Sequence, residues 1–381
     1  MRSQRDLLSG LYRAALVAVD PVRAVSRALE EPRIRSRLGQ GRRLGVFAVG
    51  KAASGMFDGV PRAAIDRALV ILPRGYRSPT RPGVEMCVAS HPEPDASSVE
   101  AARRAIEFFA GFGPTDVILC LVSGGTSSLL CLPLPGISLA AKRKRIRELS
   151  RSGASIAELN ALRTSLSLVK GGGLGRATEA ALVTLVLSDV PGDRPQLVGS
   201  GPTIRRRRRD LVRVVASNRL GLEAAADLAL RRGLVPQIRR RRLAGEAAEE
   251  GRRIAQSMLR LAPRRIFLAG GEPTVTLPRR TGRGGRTLEL ALSAARELEG
   301  SEGVLLAAGS DGRDGGSRAA GAFADGTTVE RARRRGLSPE HALSRHDTEP
   351  FFGRLGDLFV TGPTGTNVCD WVFAMGPKTL I

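Results

Sequence analysis

Residues 44–53 read LGVFAVGKAA, an apolar run of six residues followed directly by a glycine, a lysine and two alanines. A short continuous apolar run is typical of a strand that is buried on both faces of its sheet. The small residues after it favour the start of a helix. The stretch therefore predicts a strand, a tight glycine turn and a helix, which together form the repeating unit of an α/β protein.

The same succession recurs along the chain. Amphipathic helices are predicted at 97–109 and 219–231, and Asp20-Pro21 has the pattern of a cap followed by the first turn of a helix. Because the strands alternate with helices, we predict sheets that are covered on both faces and mostly parallel. The further predicted strands are residues 116–122, 182–187, 265–268, 304–307 and 358–360.

The length of 381 residues favours two domains, and an apolar content of 42% is sufficient for a core in each. We place the division in a charged stretch, which gives domains of residues 1–235 and 264–381 joined by a connecting segment of residues 236–263. No apolar run reaches the roughly 18 residues that a membrane span requires, and the N-terminus lacks the pattern of a signal peptide. The four cysteines are scattered and form no CxxC pair, which argues against a zinc cluster or a disulfide scaffold. We therefore expect the protein in the reducing cytoplasm.

The formal net charge is +23, and arginine supplies most of it because only five of the 60 basic residues are lysines. A nucleic-acid-binding protein should add aromatic stacking platforms or a recognition helix, whereas aromatic residues make up only 4% of this chain. We therefore expect no specific nucleic-acid partner. The arginine runs 205–209 and 239–242 leave polyanion binding open as an alternative.

Glycine-rich or polar turns follow the predicted strands. Ligands bind at the carboxyl ends of parallel strands, where glycine lets a phosphate approach the backbone closely. Neither the Walker A spacing nor a GxGxxG after the first strand is present. Lys51 and Lys170 occupy two of these turns in an arginine-rich chain, which suggests a need for a compact ammonium inside a tight phosphate site.

Two aspartate pairs, Asp189 with Asp193 and Asp311 with Asp314, also lie in turns after predicted strands. Such carboxylates can share a Mg²⁺ shell or divide the roles of base and metal ligand, although loop aspartates are also common turn formers and caps. Beside turns that carry lysine, the pairs favour phosphoryl transfer. That reaction needs positioning, cation screening and a base to orient the hydroxyl.

The loop GRGGR contains Arg283 and Arg286, which could clamp a carboxylate or a phosphate or could simply be solvated. The three histidines are less informative. His91 could orient a substrate, although a turn histidine satisfied by the backbone is the favoured interpretation, and His341 and His346 are expected at the surface.

Nine longer motifs occur along the chain in a fixed order. They are VGKAASGM (49–56), SHPEPD (90–95), LVSGGTSSLLCLP (121–133), SGASIAELNALRTSLSLVKGGGL (152–174), SDVPGD (188–193), GSGPT (199–203), GGEPTV (270–275), SDGRDG (310–315) and TGPTGTNV (361–368). With these motifs the chain resembles the type II glycerate kinase family, whose C-terminal half is the MOFRL domain, over roughly residues 11–372. One motif alone is a weak signal, whereas the ordered set is specific.

The resemblance implies ATP-dependent phosphorylation of D-glycerate at its 2-hydroxyl, which gives 2-phosphoglycerate, with Mg²⁺ as cofactor. It also implies a Rossmann-like N-terminal α/β/α domain and a smaller C-terminal α/β domain, with the site in a cleft between them. The protein would be a cytoplasmic monomer or homodimer without a membrane partner.

The resemblance also implies roles for individual residues. Lys51 would hold phosphate or the substrate carboxylate, Asp189 would orient or deprotonate the hydroxyl, and Arg286 would stabilise charge on the transferring group. The nucleotide would be lined by Gly124, Gly125, Asn160, Lys170, Gly171 and Gly172. The substrate would contact Ser123, Arg283 and Asp311, and Mg²⁺ would be held by Asp189 and Asp193.

Some positions depart from the family's pattern. The family usually has GRNQE where this chain has Gly285-Arg286-Thr287-Leu288-Glu289, and Ser165 and Gly173 replace its usual histidine and arginine. The stretch after GSGPT is shortened to residues 204–215. These departures leave open a weakened relative that binds nucleotide or polyanions without turnover. A second alternative, an NAD(P)-linked hydroxypyruvate reductase, is disfavoured because the dinucleotide fingerprint is missing.

Overall fold

The computed structural model describes residues 2–61, 65–79, 81, 83–153, 156–278 and 281–377. Residues 154 and 155 of the motif 152–174, and Lys378, therefore lie outside the described residues. The chain folds into two compact units. The central unit comprises Asp20–Ser217, and the terminal unit combines the residues before Asp20 with those from Asn218 onward.

Helix α1 (Arg2–Ala18) opens the chain and belongs to the terminal unit. The predicted helix start at Asp20 is confirmed, because its carboxylate accepts the Arg23 N–H at 2.9 Å. The helices of the central unit are α2 (Pro21–Glu30), α3 (Pro32–Gly39), α4 (Ala53–Asp58), α5 (Ala96–Ala110), α6 (Thr126–Leu129), α7 (Leu139–Arg151) and α8 (Ile156–Ser165). Its strands are β1 (Leu44–Val49), β2 (Arg67–Pro73), β3 (Glu85–Ala89), β4 (Val117–Val122), β5 (Ala181–Ser188) and β6 (Leu211–Ser217).

The strands of the central unit, as far as its residues are described, form one sheet in the order β3-β2-β1-β4-β5-β6, with every neighbouring pair parallel. This is the strand order of a doubly wound Rossmann-type sheet. Strands β1, β4 and β5 are buried almost throughout. On one face, Phe108 and Phe109 of α5 pack against Phe47 of β1, with ring centroids 6.3 and 5.1 Å apart. The predicted Rossmann-like α/β domain is confirmed.

The terminal unit contains a second α/β arrangement. No described helix in either unit is both long and apolar enough to cross a membrane. The remaining helices are α9 (Asn218–Arg231), α10 (Ala247–Met258), α11 (Arg286–Glu297), α12 (Thr328–Arg334), α13 (Pro339–Ser344) and α14 (Thr348–Leu355). The remaining strands are β7 (Val235–Ile238), β8 (Arg265–Gly271), β9 (Val304–Gly309), β10 (Gly321–Asp325), β11 (Leu358–Phe359) and β12 (Asp370–Met375).

The sheet of the terminal unit corrects the prediction of mostly parallel strands. Among its described residues the order is β11-β10-β9-β12-β8-β7, and only the pair β7–β8 is parallel. Strand β12 is buried along its whole length and lies antiparallel to both neighbours. A continuous apolar run indicates that both faces of a strand are covered. It does not indicate whether the strand runs parallel or antiparallel to its neighbours.

The compact units do not coincide with the predicted boundaries at residues 235 and 264. Helix α9 packs in the terminal unit, where the Trp371 indole N–H donates to Asn218 O at 3.2 Å. Strand β7 and helix α10 occupy most of the predicted connecting segment, yet β7 pairs with β8 and α10 packs on α11. This happens because an amphipathic helix is stable only where its apolar face is covered. In the described structure, these two elements of the predicted connecting segment therefore pack within the terminal unit.

The arginine run 205–209 is part of the folded central unit and leads directly into β6. The Arg205 side chain is only 5% exposed and its Nε lies 2.7 Å from an Asp210 carboxylate oxygen. Its guanidinium also donates to the carbonyl oxygens of Thr178 and Ala180 at 2.6 and 2.5 Å. The first arginine of the run therefore connects the turn before β5 to the turn before β6.

Replacing Arg205 by alanine is expected to lower the free energy of unfolding by about 3–5 kcal/mol, because it leaves a buried carboxylate and carbonyl oxygens without their donor. Arg207→Ala is the matched control, since its pair with Glu179 is exposed to solvent and is expected to contribute little to stability. Urea unfolding, with hydrogen exchange of β5 and β6, measures both variants. Equal losses for the two variants would contradict this assignment.

Candidate active site

The turns after β1 and β4 lie side by side at the carboxyl edge of the central sheet. The Lys51 N–H donates to Gly124 O at 2.9 Å. The Ser123 hydroxyl is fully buried, donates to Val49 O at 3.3 Å and accepts the Ala52 N–H at 3.1 Å. Ser123, which the family resemblance assigns to the substrate, thus uses its hydroxyl to join the two turns and to place Lys51.

Glycine is required at the point where these turns meet. Gly50 has a φ of +121°, and a Cβ there would lie 2.2 Å from the Ser123 hydroxyl oxygen. Gly125 has a φ of +87° and is the N-cap residue that precedes α6. A side chain at either position would separate the turns, so these glycines fix the spacing between Lys51 and the diglycine Gly124-Gly125.

Lys51 and His91 lie together over Gly125. A Cβ on Gly125 would lie 3.2 Å from both Lys51 Cγ and His91 Cδ2. Burial, together with the charge of Lys51, lowers the pKa of His91 to about 4. His91 is therefore neutral at pH 7 and can donate or accept a hydrogen bond. The sequence-based preference for a backbone-satisfied histidine is wrong, because no described residue makes a hydrogen bond with its ring.

Asp189 reaches the same diglycine from the turn after β5. A Cβ on Gly124 would lie 2.0 Å from Asp189 Oδ2 and 2.7 Å from its Cγ, so the carboxylate rests directly against the Gly124 backbone. The structure therefore brings together four of the sequence-derived candidates, Lys51, Asp189, Gly124 and Gly125. A lysine and a carboxylate at the carboxyl edge of a Rossmann-type sheet can bind a phosphate and accept a proton from a hydroxyl.

Asp193 completes the turn after β5. Its Oδ1 accepts the Ser188 hydroxyl at 3.1 Å, and its backbone has a φ of +49°. The described residues contain no group of three or more carboxylate, histidine or cysteine ligands. Mg²⁺ is usually held by one or two carboxylates and by substrate phosphates, so Asp189 and Asp193 have the donor chemistry that this ion requires.

Replacing Gly124 by alanine is expected to abolish most activity while the protein still folds, because the new Cβ displaces the Asp189 carboxylate. Gly39→Ala, at a position with nothing within 4 Å of the new Cβ, is the matched control and should keep full activity. Turnover and circular dichroism of both variants test this expectation. Full turnover of the Gly124 variant would show that the position of Asp189 is unimportant.

The residues predicted to line the nucleotide also lie in the central unit, and several of them make hydrogen bonds within the protein. The N–H groups of Gly171 and Gly172 donate to Ser200 O and Gly201 O, both at 2.8 Å, so these amides stabilise the protein itself. Asn160 Oδ1 accepts a hydrogen bond from the Arg163 guanidinium at 3.2 Å. The N–H of Gly173 donates to Lys170 O at 3.0 Å, so the amides of all three glycines in this turn are already occupied.

Lys170 is only 3% exposed, and its ammonium donates to Ser127 O at 2.7 Å. Burial lowers its pKa to about 7, and the nearby charges of Lys142 and Arg163 act in the same direction. Sequence reasoning missed Lys142 and Arg163. The rarity of lysine, which drew attention to Lys51, was also a signal for Lys142.

Arg286 lies in the terminal unit, at the start of α11, and is held by two carboxylates. Its guanidinium contacts Asp370 at 2.5 and 3.2 Å and Glu272 at 2.7 Å. Burial lowers the pKa of Arg286, but the two carboxylates raise it by more, so the net pKa is above the ordinary value for arginine. Arg286 is therefore cationic at any pH in use. The side chain is thus fixed in direction and charge.

The other candidate residues of the terminal unit each make a different contact within the protein. Arg283 is exposed and pairs with Glu349 at 3.2 Å. Asp311 Oδ1 accepts the Arg313 N–H at 3.1 Å, which is a turn contact. Asp314 is buried and accepts two N–H groups at the start of α11, so it caps a helix. The surface prediction for His346 is wrong, because its ring lies 2.7 Å from the buried carboxylate of Glu289, whereas His341 is exposed as expected.

Comparison with known proteins shows the family to which the chain belongs. The model "Domain of unknown function (DUF4147)" matches residues 7–231, and the MOFRL family matches residues 265–370. The D-glycerate 2-kinase of Thermotoga maritima is 34% identical over 98% of both chains. A protein of Agrobacterium vitis named "Putative hydroxypyruvate reductase" is 38% identical over 97% of this chain and 93% of its own.

A solved structure is also similar to this chain over nearly its whole length. The crystal structure of a glycerate kinase from Thermotoga maritima superimposes with a TM-score of 0.88 at 32% identity, covering 98% of this chain and 100% of its own. A DUF4147 module followed by a MOFRL module defines a class of α/β proteins with two modules. The chain belongs to the type II glycerate kinase family.

Proposed function

We propose that this chain is a glycerate 2-kinase, which transfers the terminal phosphoryl group of ATP to the 2-hydroxyl of D-glycerate and releases 2-phosphoglycerate. The observation that carries the proposal is the meeting of Lys51 and Asp189 at one diglycine turn of the central unit. The glycerate kinases of Thermotoga maritima and Pyrococcus horikoshii, which match almost the full chain, support it.

In this proposal Asp189 orients the 2-hydroxyl and accepts its proton as the hydroxyl oxygen bonds to the γ-phosphorus. The bond between the γ-phosphorus and the β–γ bridging oxygen breaks, and ADP leaves with that electron pair. Lys51 places a compact positive charge beside the reacting oxygens and so lowers the cost of the charge that develops on them. His91, neutral at pH 7, adds a hydrogen bond without adding charge.

Mg²⁺ would be held by Asp189 and Asp193. When bound, it would neutralise charge on the phosphate oxygens. The Ser188 hydroxyl holds Asp193 in place for this role. In the terminal unit, Arg286 keeps the charge-stabilising role that the family resemblance implies, and Arg283 and Asp311 keep their substrate roles as predictions.

The test is the identity of the product. Purified protein is incubated with ATP, Mg²⁺ and D-glycerate, and phosphorus NMR distinguishes 2-phosphoglycerate from 3-phosphoglycerate. The proposal expects the 2-isomer, with ADP in equal amount. Formation of the 3-isomer would refute the positional assignment, and no ADP release from folded protein would favour the weakened relative that binds without turnover.

The second candidate is an NAD(P)-linked hydroxypyruvate reductase, and the names of the Agrobacterium vitis relatives favour it. The glycine turn after β1, Gly50-Lys51-Ala52-Ala53, lacks the glycine spacing that lets a pyrophosphate of NAD approach that helix. The proposal therefore expects no oxidation of NADH or NADPH with hydroxypyruvate. Such oxidation, observed as a fall in absorbance of the nicotinamide, would overturn it.

A further inference from the structure

A second group of cations lies in the central unit, on α7, on α8 and on the turn that follows α8. Together with Ser127 it borders a pocket of about 280 Å³. The charged residues that line this pocket are Glu93, Lys142, Arg143, Arg147, Arg163 and Lys170. Glu93 is paired with Arg143. The other four cations have no carboxylate partner in the described ranges of the chain.

Two of these cations are buried. Lys142 and Lys170 are 1% and 3% exposed. Lys142 Nζ donates to Leu166 O at 3.0 Å, and Lys170 Nζ donates to Ser127 O at 2.7 Å and contacts the Ser127 hydroxyl. Since an ammonium has three N–H donors, each lysine keeps at least one donor that no described residue uses.

A purely structural role explains these lysines poorly. An ammonium that is removed from water without a carboxylate partner is unfavourable, and methionine would fill the same space without that cost. Burial lowers the pKa of Lys142 and of Lys170, in the second case to about 7. A bound anion would favour the charged form of both lysines and so offset the cost of their burial.

We propose that this pocket binds the phosphate chain of the phosphoryl donor, with Lys142, Arg147 and Arg163 as ligands in addition to Lys170. The inference rests on the proposed function, because that function supplies ATP as the donor. Four cations match the charge of a triphosphate, and ammonium and guanidinium groups are the usual phosphate ligands. The volume lies just below the roughly 300–1,000 Å³ of pockets that enclose whole small molecules, which suits a phosphate chain rather than a complete nucleotide.

The pocket is adjacent to the candidate active site. Pro92, which follows His91 in the chain, lines the pocket, and Ser127 lies two residues after Gly125. The Ser128 hydroxyl donates to Pro92 O at 2.6 Å and so ties the two segments together. A phosphate chain held here by α7 and α8 would end close to the turn that carries Lys51.

The first test measures binding of inorganic triphosphate by calorimetry in the full-length protein. Lys142→Met is expected to weaken its affinity about 10- to 100-fold, as expected when one hydrogen bond to a charged group is lost. It should also raise KM for ATP by a similar factor while kcat and KM for D-glycerate change little. Lys144→Met is the matched control, because Lys144 lies on the same helix and is 74% exposed, and it should bind triphosphate normally.

Arg163→Met provides a second variant in case Lys142→Met does not fold, and it should show the same selective rise in KM for ATP. Unchanged triphosphate affinity and KM for ATP in folded variants would overturn the inference and leave the proposed function intact. Tighter binding of 2-phosphoglycerate than of triphosphate, sensitive to Lys142→Met, would also overturn it, since the pocket would then hold the product. Binding of triphosphate that depends on Lys142 without any kinase activity would support the pocket and refute the proposed function.

The second test measures the number of protons that the protein takes up when triphosphate binds. The groups that face Lys170 are Lys142, Arg163 and Cys131, and the pocket adds Arg143, Arg147 and Glu93. At about pH 8 much of Lys170 is neutral, and a bound anion restores its charge, so binding should take up as much as about one proton per complex. Calorimetry in two buffers of different ionisation enthalpy detects this uptake. Lys170→Met should lose most of it, and equal uptake by both proteins would contradict the role of Lys170.

Discussion

Replacing Lys51 by alanine is expected to lower kcat/KM for D-glycerate phosphorylation by about 10²–10³-fold, because preorganised charge at a reacting centre contributes on that scale. The fold should persist, since the backbone contact from Lys51 to Gly124 O does not involve the side chain. Lys51→Arg should not restore activity, because a planar guanidinium does not replace a compact ammonium as a point charge.

The matched control for Lys51 is Lys144→Ala. Lys144 is 74% exposed and lies 3.9 Å from Glu148 on the same helix, so its loss removes one positive charge without touching the candidate site. Initial rates of ADP formation compare the three variants with the parent. Equal activity of Lys51→Ala and Lys144→Ala would remove Lys51 from the reaction.

Replacing Asp189 by asparagine is expected to lower kcat by about 10²–10⁴-fold, the range in which a lost general base usually falls. Asparagine has nearly the same shape, so the contact with Gly124 remains while the proton acceptor is lost. If Asp189 serves mainly as a Mg²⁺ ligand, the loss should instead diminish as Mg²⁺ is raised. A titration of kcat against Mg²⁺ separates the two roles.

Asp227→Asn is the matched control for this substitution, because Asp227 is an exposed aspartate on α9. It removes the same charge and should retain full turnover. If Asp189→Asn retained full turnover, the assignment of Asp189 as the base would be wrong.

Much of the fold could be predicted from continuous apolar runs. Strand β1 was predicted at its observed bounds, and β4 and β5 within one residue at each end. Strand directions in the terminal unit could not be predicted, because they depend on which strand lies next to which. Strands β2, β3, β10 and β12 were also missed, although the residues of β12, DWVFAM, are all buried.

The candidate site was predictable to a smaller extent. Lys51 and Asp189 follow strands in the chain, so their shared edge of the sheet could be inferred. The occupation of the Ser123 hydroxyl and of the Gly171 amide by other backbone groups depends on contacts between turns that are distant in sequence. The buried state of Lys142 depends on how α7 packs beside α8, which the apolar pattern of a charged helix does not reveal.

The role of Lys51 in phosphorylating D-glycerate is tested by a single assay that follows ADP and 2-phosphoglycerate together, with the parent protein and with Lys51→Ala. We expect the parent to form both products in equal amounts only when D-glycerate is present, and the folded variant to form almost none. ADP release that does not depend on D-glycerate, or 2-phosphoglycerate formed equally by both proteins, would contradict the proposed function.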